Sequence, residues 1–101
     1  MIDITETQLE IVRDILDGVL PQGGQAFAFG SRVDGNAEKF SDLDIAIDTG
    51  SPLSLEFLED LRYRFASSAL PMSVDIADWT ALPESFRNEI TKNGELLYSK
   101  K

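Results

Sequence analysis

Cysteine and histidine are both absent from this 101-residue chain. Without thiols there is no disulfide framework and no Cys/His zinc site. Without imidazole, every catalytic triad that relies on a histidine base is excluded. Positive charge is scarce, with nine Lys and Arg against 18 Asp and Glu, a formal charge of −9. That deficit argues against binding duplex nucleic acid, which needs a Lys/Arg stripe. It is compatible with a small polyanion delivered with Mg²⁺, whose natural ligands are carboxylates. No apolar run approaches the ~20 residues of a membrane span, so no membrane association is expected. The opening Met1-Ile2-Asp3-Ile4-Thr5-Glu6 has neither the basic region nor the apolar stretch of a signal peptide, and the expected location is the cytoplasm. Any transfer or hydrolytic chemistry must rest on carboxylates, hydroxyls and cations.

Apolar residues make up 43% of the chain, enough for one core, and a single domain over residues 1–101 is expected. Leu9, Val12, Leu16 and Val19 recur at steps of three and four, which predicts a helix from about Thr5 to Val19, with Thr5/Gln8 or Thr7/Glu10 as its capping box. Pro21-Gln22-Gly23-Gly24 is a turn. Gln25–Phe29 alternates small and aromatic residues into Gly30, as a short strand does. Asp42–Asp48 alternates strictly, with Leu43, Ile45 and Ile47 on one face and Asp42, Asp44, Ala46 and Asp48 on the other. A second helix is expected from about Leu53 to Ser67, with an Asp60–Arg64 ion pair. A third strand spans Met72–Ala77. Pro83 starts a third helix that carries Phe86 and Ile90 inward and ends before Gly94. Glu95–Tyr98 forms a last strand. The predicted class is α/β (α+β), a small mixed sheet against two to three helices.

Asp42-Leu43-Asp44 alone means little, because ten of the 101 residues are Asp and such a pair is expected about once by chance. On a strand, however, both carboxylates point the same way, about 6.5–7 Å apart along the chain. At that separation they can converge on a pair of divalent ions. The ordinary alternative is a solvated edge-strand face. Asp75, set between Val74 and Ile76 in another strand, shifts the balance. Strands disfavour Asp, and three carboxylates on one face repel unless a cation neutralises them. A second feature is Phe29-Gly30-Ser31-Arg32, where a strand turns into a polar segment. Gly30 permits close backbone approach, Ser31 adds a hydroxyl, and Arg32 offers a charge-assisted bond to a phosphate. If a helical turn begins there, its free N–H groups would also face the anion.

Ten residues separate Ser31 from Asp42. The stretch Gly30-Ser31-Arg32-Val33-Asp34-Gly35, followed by Ser41-Asp42-Leu43-Asp44, resembles the Gly-Ser-x10-Asp-x-Asp signature of the DNA polymerase β-type nucleotidyltransferase superfamily. With the short length, Val74-Asp75-Ile76 and the closing segment from Trp79 to Tyr98, it looks like the minimal nucleotidyltransferase members, antitoxin partners of HEPN toxins. The resemblance implies a polymerase β-like fold. It also implies that Asp42, Asp44 and Asp75 ligate two Mg²⁺ ions and act catalytically, while Gly30 and Ser31 hold the triphosphate, to which Arg32 on the reading above adds its bond. The implied reaction transfers AMP from ATP to a hydroxyl, typically a tyrosine of a HEPN ribonuclease toxin, with release of pyrophosphate. Asp34 departs from the family's frequent basic residue and would repel a triphosphate unless directed away from it. Alternatives are a non-catalytic antitoxin acting by binding alone and a small-molecule, aminoglycoside-type nucleotidyltransferase.

The remaining candidates have plainer readings. Asp48 is expected to be a strand-end surface acid, Asp78 a turn acid, and Trp79 and Phe86 packing residues. A chain this small has little material for a deep acceptor pocket, so the acceptor is expected on a partner protein. A homo-oligomer is left open.

Overall fold

The computed structural model describes residues 2–35 and 41–101. Among them the chain forms four α-helices and four strands, in the order α1 (Glu6–Val19), β1 (Gln25–Phe29), α2 (Ser31–Asp34), β2 (Leu43–Asp48), α3 (Leu55–Ala66), β3 (Val74–Asp78), α4 (Glu84–Asn93) and β4 (Glu95–Ser99). A 3₁₀ turn, Trp79–Ala81, links β3 to α4. Of the two possible capping boxes on α1, Thr5/Gln8 forms: the Thr5 hydroxyl accepts from the Gln8 amide at 3.1 Å, and the Gln8 side chain accepts from the Thr5 amide at 3.0 Å. Such a cap contributes about 1 kcal/mol. The helix stops at Leu20, which is extended ahead of Pro21.

The sheet order is β3-β2-β1-β4. Both neighbours of β1 run antiparallel to it, while β2 and β3 are parallel with α3 as their crossover, so the sheet is mixed as expected. Alternation then divides the residues. Leu43, Ile45 and Ile47 join Ala26 and Ala28 under α1 and α3, whose Val12, Leu16, Leu61 and Phe65 complete the core. Phe27, Phe29, Asp44 and Asp75 are left to the opposite face. In β4, Ala26 pairs Tyr98 and Phe27 pairs Leu96, so Leu97 is an extra residue in a bulge and is buried in the core.

Three details depart from the sequence reading. The fourth helix, α2, is a single turn at the Gly30 corner, too short to show any periodicity. Helix α3 starts at Leu55 because the Ser54 hydroxyl caps it, accepting from the Phe57 amide at 3.0 Å. Ile90 is buried, but Phe86 stays 41% exposed, resting edge-on against Phe29 with ring centroids 5.6 Å apart. Trp79 does pack, stacked on Phe27 at 5.1 Å, and the Asp60–Arg64 pair forms at 3.2 Å. Among the described residues no helix is long and apolar enough to cross a membrane.

Candidate active site

Parallel pairing of β2 and β3 sets Asp44 opposite Asp75, and antiparallel pairing with β1 sets Phe29 opposite Asp44. Neighbouring strands lie about 4.8 Å apart, so the two Asp side chains rise side by side from one face. Asp44 is half-buried, Asp75 exposed, and Asp42 lies exposed just before β2. Burial first, then the charge of Asp75, then that of Asp42, raises the Asp44 pKa above the ordinary carboxylate value. Asp44 thus feels the charges of both of the other carboxylates. Among the described residues, though, no three acidic groups close into a ready-made metal cage. The site is an adjacent pair, Asp44 and Asp75, with Asp42 at its edge.

Gly30 is what admits Asp44 to that position. Its φ of +80° with ψ of −155° is a conformation that side chains rarely adopt. A methyl group there would overlap the Asp44 Oδ2 atom. The sequence pointed to Gly30 as a place where a ligand approaches the backbone; the structure adds that the strand's own carboxylate occupies the space. Ser31 follows, half-buried, as the first residue of α2. The helical turn expected here does form, but the amides of Val33 and Asp34 both donate to the Gly30 carbonyl at 3.0 Å. What the corner offers an anion is thus the Ser31 hydroxyl and close backbone approach rather than a fan of free amides.

Arg32 is placed differently from the sequence reading. Only 6% exposed, it donates from Nε to the Ser41 carbonyl and from Nη1 to the Asp3 carbonyl, both at 2.9 Å. Its own carbonyl accepts from the Asp3 amide at 2.7 Å. The guanidinium braces the N-terminal segment and the approach to Asp42, with its Nε and one Nη1 hydrogen spent on carbonyls. An Arg after Gly-Ser looks the same in sequence in either role. Asp48 and Asp78 have local duties, as expected. Asp48 accepts from the Gly50 amide at 2.9 Å. Asp78 accepts from the Thr80 amide and hydroxyl, and also from the Leu53 amide across the sheet end.

The donor set suits a divalent cation. It consists of hard carboxylate oxygens whose mutual repulsion at Asp44 such an ion would relieve, beside a glycine whose missing side chain leaves room for one of them.

Comparison with known proteins identifies the family. The family described as "Polymerase beta, Nucleotidyltransferase" matches residues 21–101. A probable protein adenylyltransferase, MntA of Haemophilus influenzae, is 43% identical over 91 residues, covering 90% of this chain and 79% of the relative. Among solved structures, a toxin–antitoxin complex with AMP-PNP aligns with a TM-score of 0.76 at 24% identity, over 92% of this chain and 74% of that one. A protein from Shewanella oneidensis aligns with a TM-score of 0.67 at 21% identity, over 93% and 72%.

Proposed function

This chain belongs to the polymerase beta nucleotidyltransferase family, and on that premise we propose that it transfers AMP from ATP to a tyrosine hydroxyl of a partner protein, acting as the antitoxin of a HEPN ribonuclease toxin. The observation that carries the reading is the register of β2 and β3, which sets Asp44 beside Asp75 on the open face, with Gly30 pressed against Asp44. The name of the Haemophilus relative supports protein adenylylation, and the toxin–antitoxin complex among the structural neighbours supports a toxin as the partner.

In this reading Asp42 and Asp44 would hold two Mg²⁺ ions, with Asp75 sharing one of them. When bound, the ions would supply neutralisation of the phosphates and activation of the acceptor hydroxyl. The chain's own residues do the rest. Gly30 and Ser31 seat the triphosphate, fixing the α-phosphorus for in-line attack. The exposed Asp75 carboxylate faces the incoming hydroxyl and takes its proton. A bond forms between the tyrosine oxygen and the α-phosphorus as the bond to the β-phosphate oxygen breaks, and pyrophosphate leaves. The open sheet face leaves the acceptor to be presented by the partner.

The test is incubation with α-labelled ATP, Mg²⁺ and the cognate toxin. Label should appear on a toxin tyrosine and vanish with Asp42→Asn or Asp44→Asn, together with neutralisation. Neutralisation that survives both substitutions, without label, would instead make the chain an antitoxin that acts by binding.

A further inference from the structure

A cavity of about 200 Å³ borders Gly30 but none of the three acidic site residues; Phe29, Asp34, Phe86, Glu89 and Asn93 contribute to its walls. We infer that this cavity is a nucleobase pocket, selective for a base that presents an exocyclic amino group as adenine does, with Phe86 as its stacking surface and the Glu89–Asn93 pair as its reader. The inference rests on the nucleotidyltransferase reading and names the part of the substrate that enters on this side of Gly30.

Size is the first ground. At about 200 Å³ the cavity falls below the roughly 300–1,000 Å³ of pockets that take a whole ligand, so it suits one end of a nucleotide. Charge decides which end. Asp34 and Glu89 would repel a triphosphate, which leaves the phosphates to the Ser31 and carboxylate side of Gly30 and the uncharged base to the cavity. This also gives Asp34 a place where an acid does no harm. Phe86 is 41% exposed although it sits on an otherwise ordered helix and is propped edge-on by Phe29. An aromatic surface held in that way can stack a base.

Hydrogen bonding supplies selectivity. One turn apart on α4, the Asn93 Nδ2 donates to the Glu89 Oε1 at 2.6 Å. That bond leaves the Asn93 Oδ1 and the second Glu89 oxygen as acceptors at the cavity. An amino group donates to them, whereas a ring carbonyl at the same position meets like partial charge. Gly94 ends α4 against the sheet: a Cβ there would come 2.6 Å from the Ala28 carbonyl oxygen, so the end of the helix packs closely on β1 only because residue 94 has no side chain.

Calorimetric titration of the whole chain with Mg²⁺ plus ATP, ITP or inorganic triphosphate tests the assignment. ITP carries a carbonyl where ATP carries the amino group. Wild type should prefer ATP over ITP by about tenfold or more, within the range set by a paired hydrogen-bond contact to a base edge. Glu89→Gln, whose amide can turn to donate, should reduce that preference to about twofold. Phe86→Ala should weaken ATP and ITP alike by about tenfold while leaving triphosphate binding unchanged. Equal affinity for ATP and ITP, or a Phe86→Ala effect on triphosphate as large as on ATP, overturns the pocket but leaves the transferase reading standing. Failure of all three ligands to bind overturns both.

Discussion

A charged carboxylate at position 44 works against folding in the metal-free chain, because burial and the charges of Asp75 and Asp42 all favour its protonated form. The raised pKa means that the folded state holds this proton more tightly than the unfolded state does. Stability therefore falls as pH rises from the unfolded value, about 3.9, through the raised folded value. Asp44→Asn should remove that dependence. In EDTA, the variant should melt higher than wild type at pH 7, with the gap closing near pH 4; a variant that melts lower than wild type at pH 7 would contradict the account. Gly30 behaves oppositely. Gly30→Ala places a methyl group on the Asp44 carboxylate and in a backbone conformation that costs about 1–3 kcal/mol for other residues. It should lower the melting temperature and abolish transfer. Gly35→Ala shares the positive φ but meets no atom within 4 Å among the described residues, so it should lower stability and retain activity. Equal activity loss in the two would remove the special role given to Gly30.

At the scale of elements, the β2 strand ties core to site: Ile45 and Ile47 fill the core on one face while Asp44 stands on the other. Ile45→Ala leaves a cavity under α1 and α3 and should cost about 2–5 kcal/mol, read as a shift in the denaturant midpoint. Thr5→Ala removes the hydroxyl half of the observed capping box, leaving the residue-5 amide to donate to Gln8, and should cost about 1 kcal/mol, with activity unchanged at low temperature. Much at this scale was legible in the chain. Residues 25–29 form the strand that their small/aromatic alternation describes, and Leu43, Ile45 and Ile47 are fully buried as their phase requires. What was hidden has physical causes. A one-turn helix such as α2 carries no periodicity, and the Trp79–Ala81 turn is specified by Asp78 capping it rather than by any pattern. The destination of the Arg32 guanidinium depends on carbonyls at residues 3 and 41, which the sequence does not place nearby. Phe86 sits at helical phase with Ile90, so the pattern alone does not tell the buried residue from the exposed one. The Glu89–Asn93 pair had a legible i,i+4 spacing, but its meaning came from the cavity beside it.

For the whole molecule, the charge of −9 is not spread at random. Glu6, Glu10 and Asp14 stand exposed on consecutive turns of α1, and Glu56, Glu59 and Asp60 on α3. A surface of that kind speeds encounter with a basic partner more than it tightens the final complex. Association with the proposed toxin partner should therefore slow as ionic strength rises and the screening length falls below the ~8 Å of physiological salt, with dissociation changing little. Stopped-flow association rates that do not vary with salt would remove electrostatic steering from the account.

The carboxylates of Asp44 and Asp75, brought together by the pairing of two parallel strands, are held to be where a divalent cation and a nucleotide meet the protein. Thermal melting with saturating Mg²⁺ and ATP addresses this most directly, with wild type, Asp44→Asn and Asp75→Asn compared in parallel. A ligand at 100 times its dissociation constant adds about 2.7 kcal/mol, so wild type should gain several degrees while the two variants gain little. Equal gains in all three proteins would show that the nucleotide binds elsewhere.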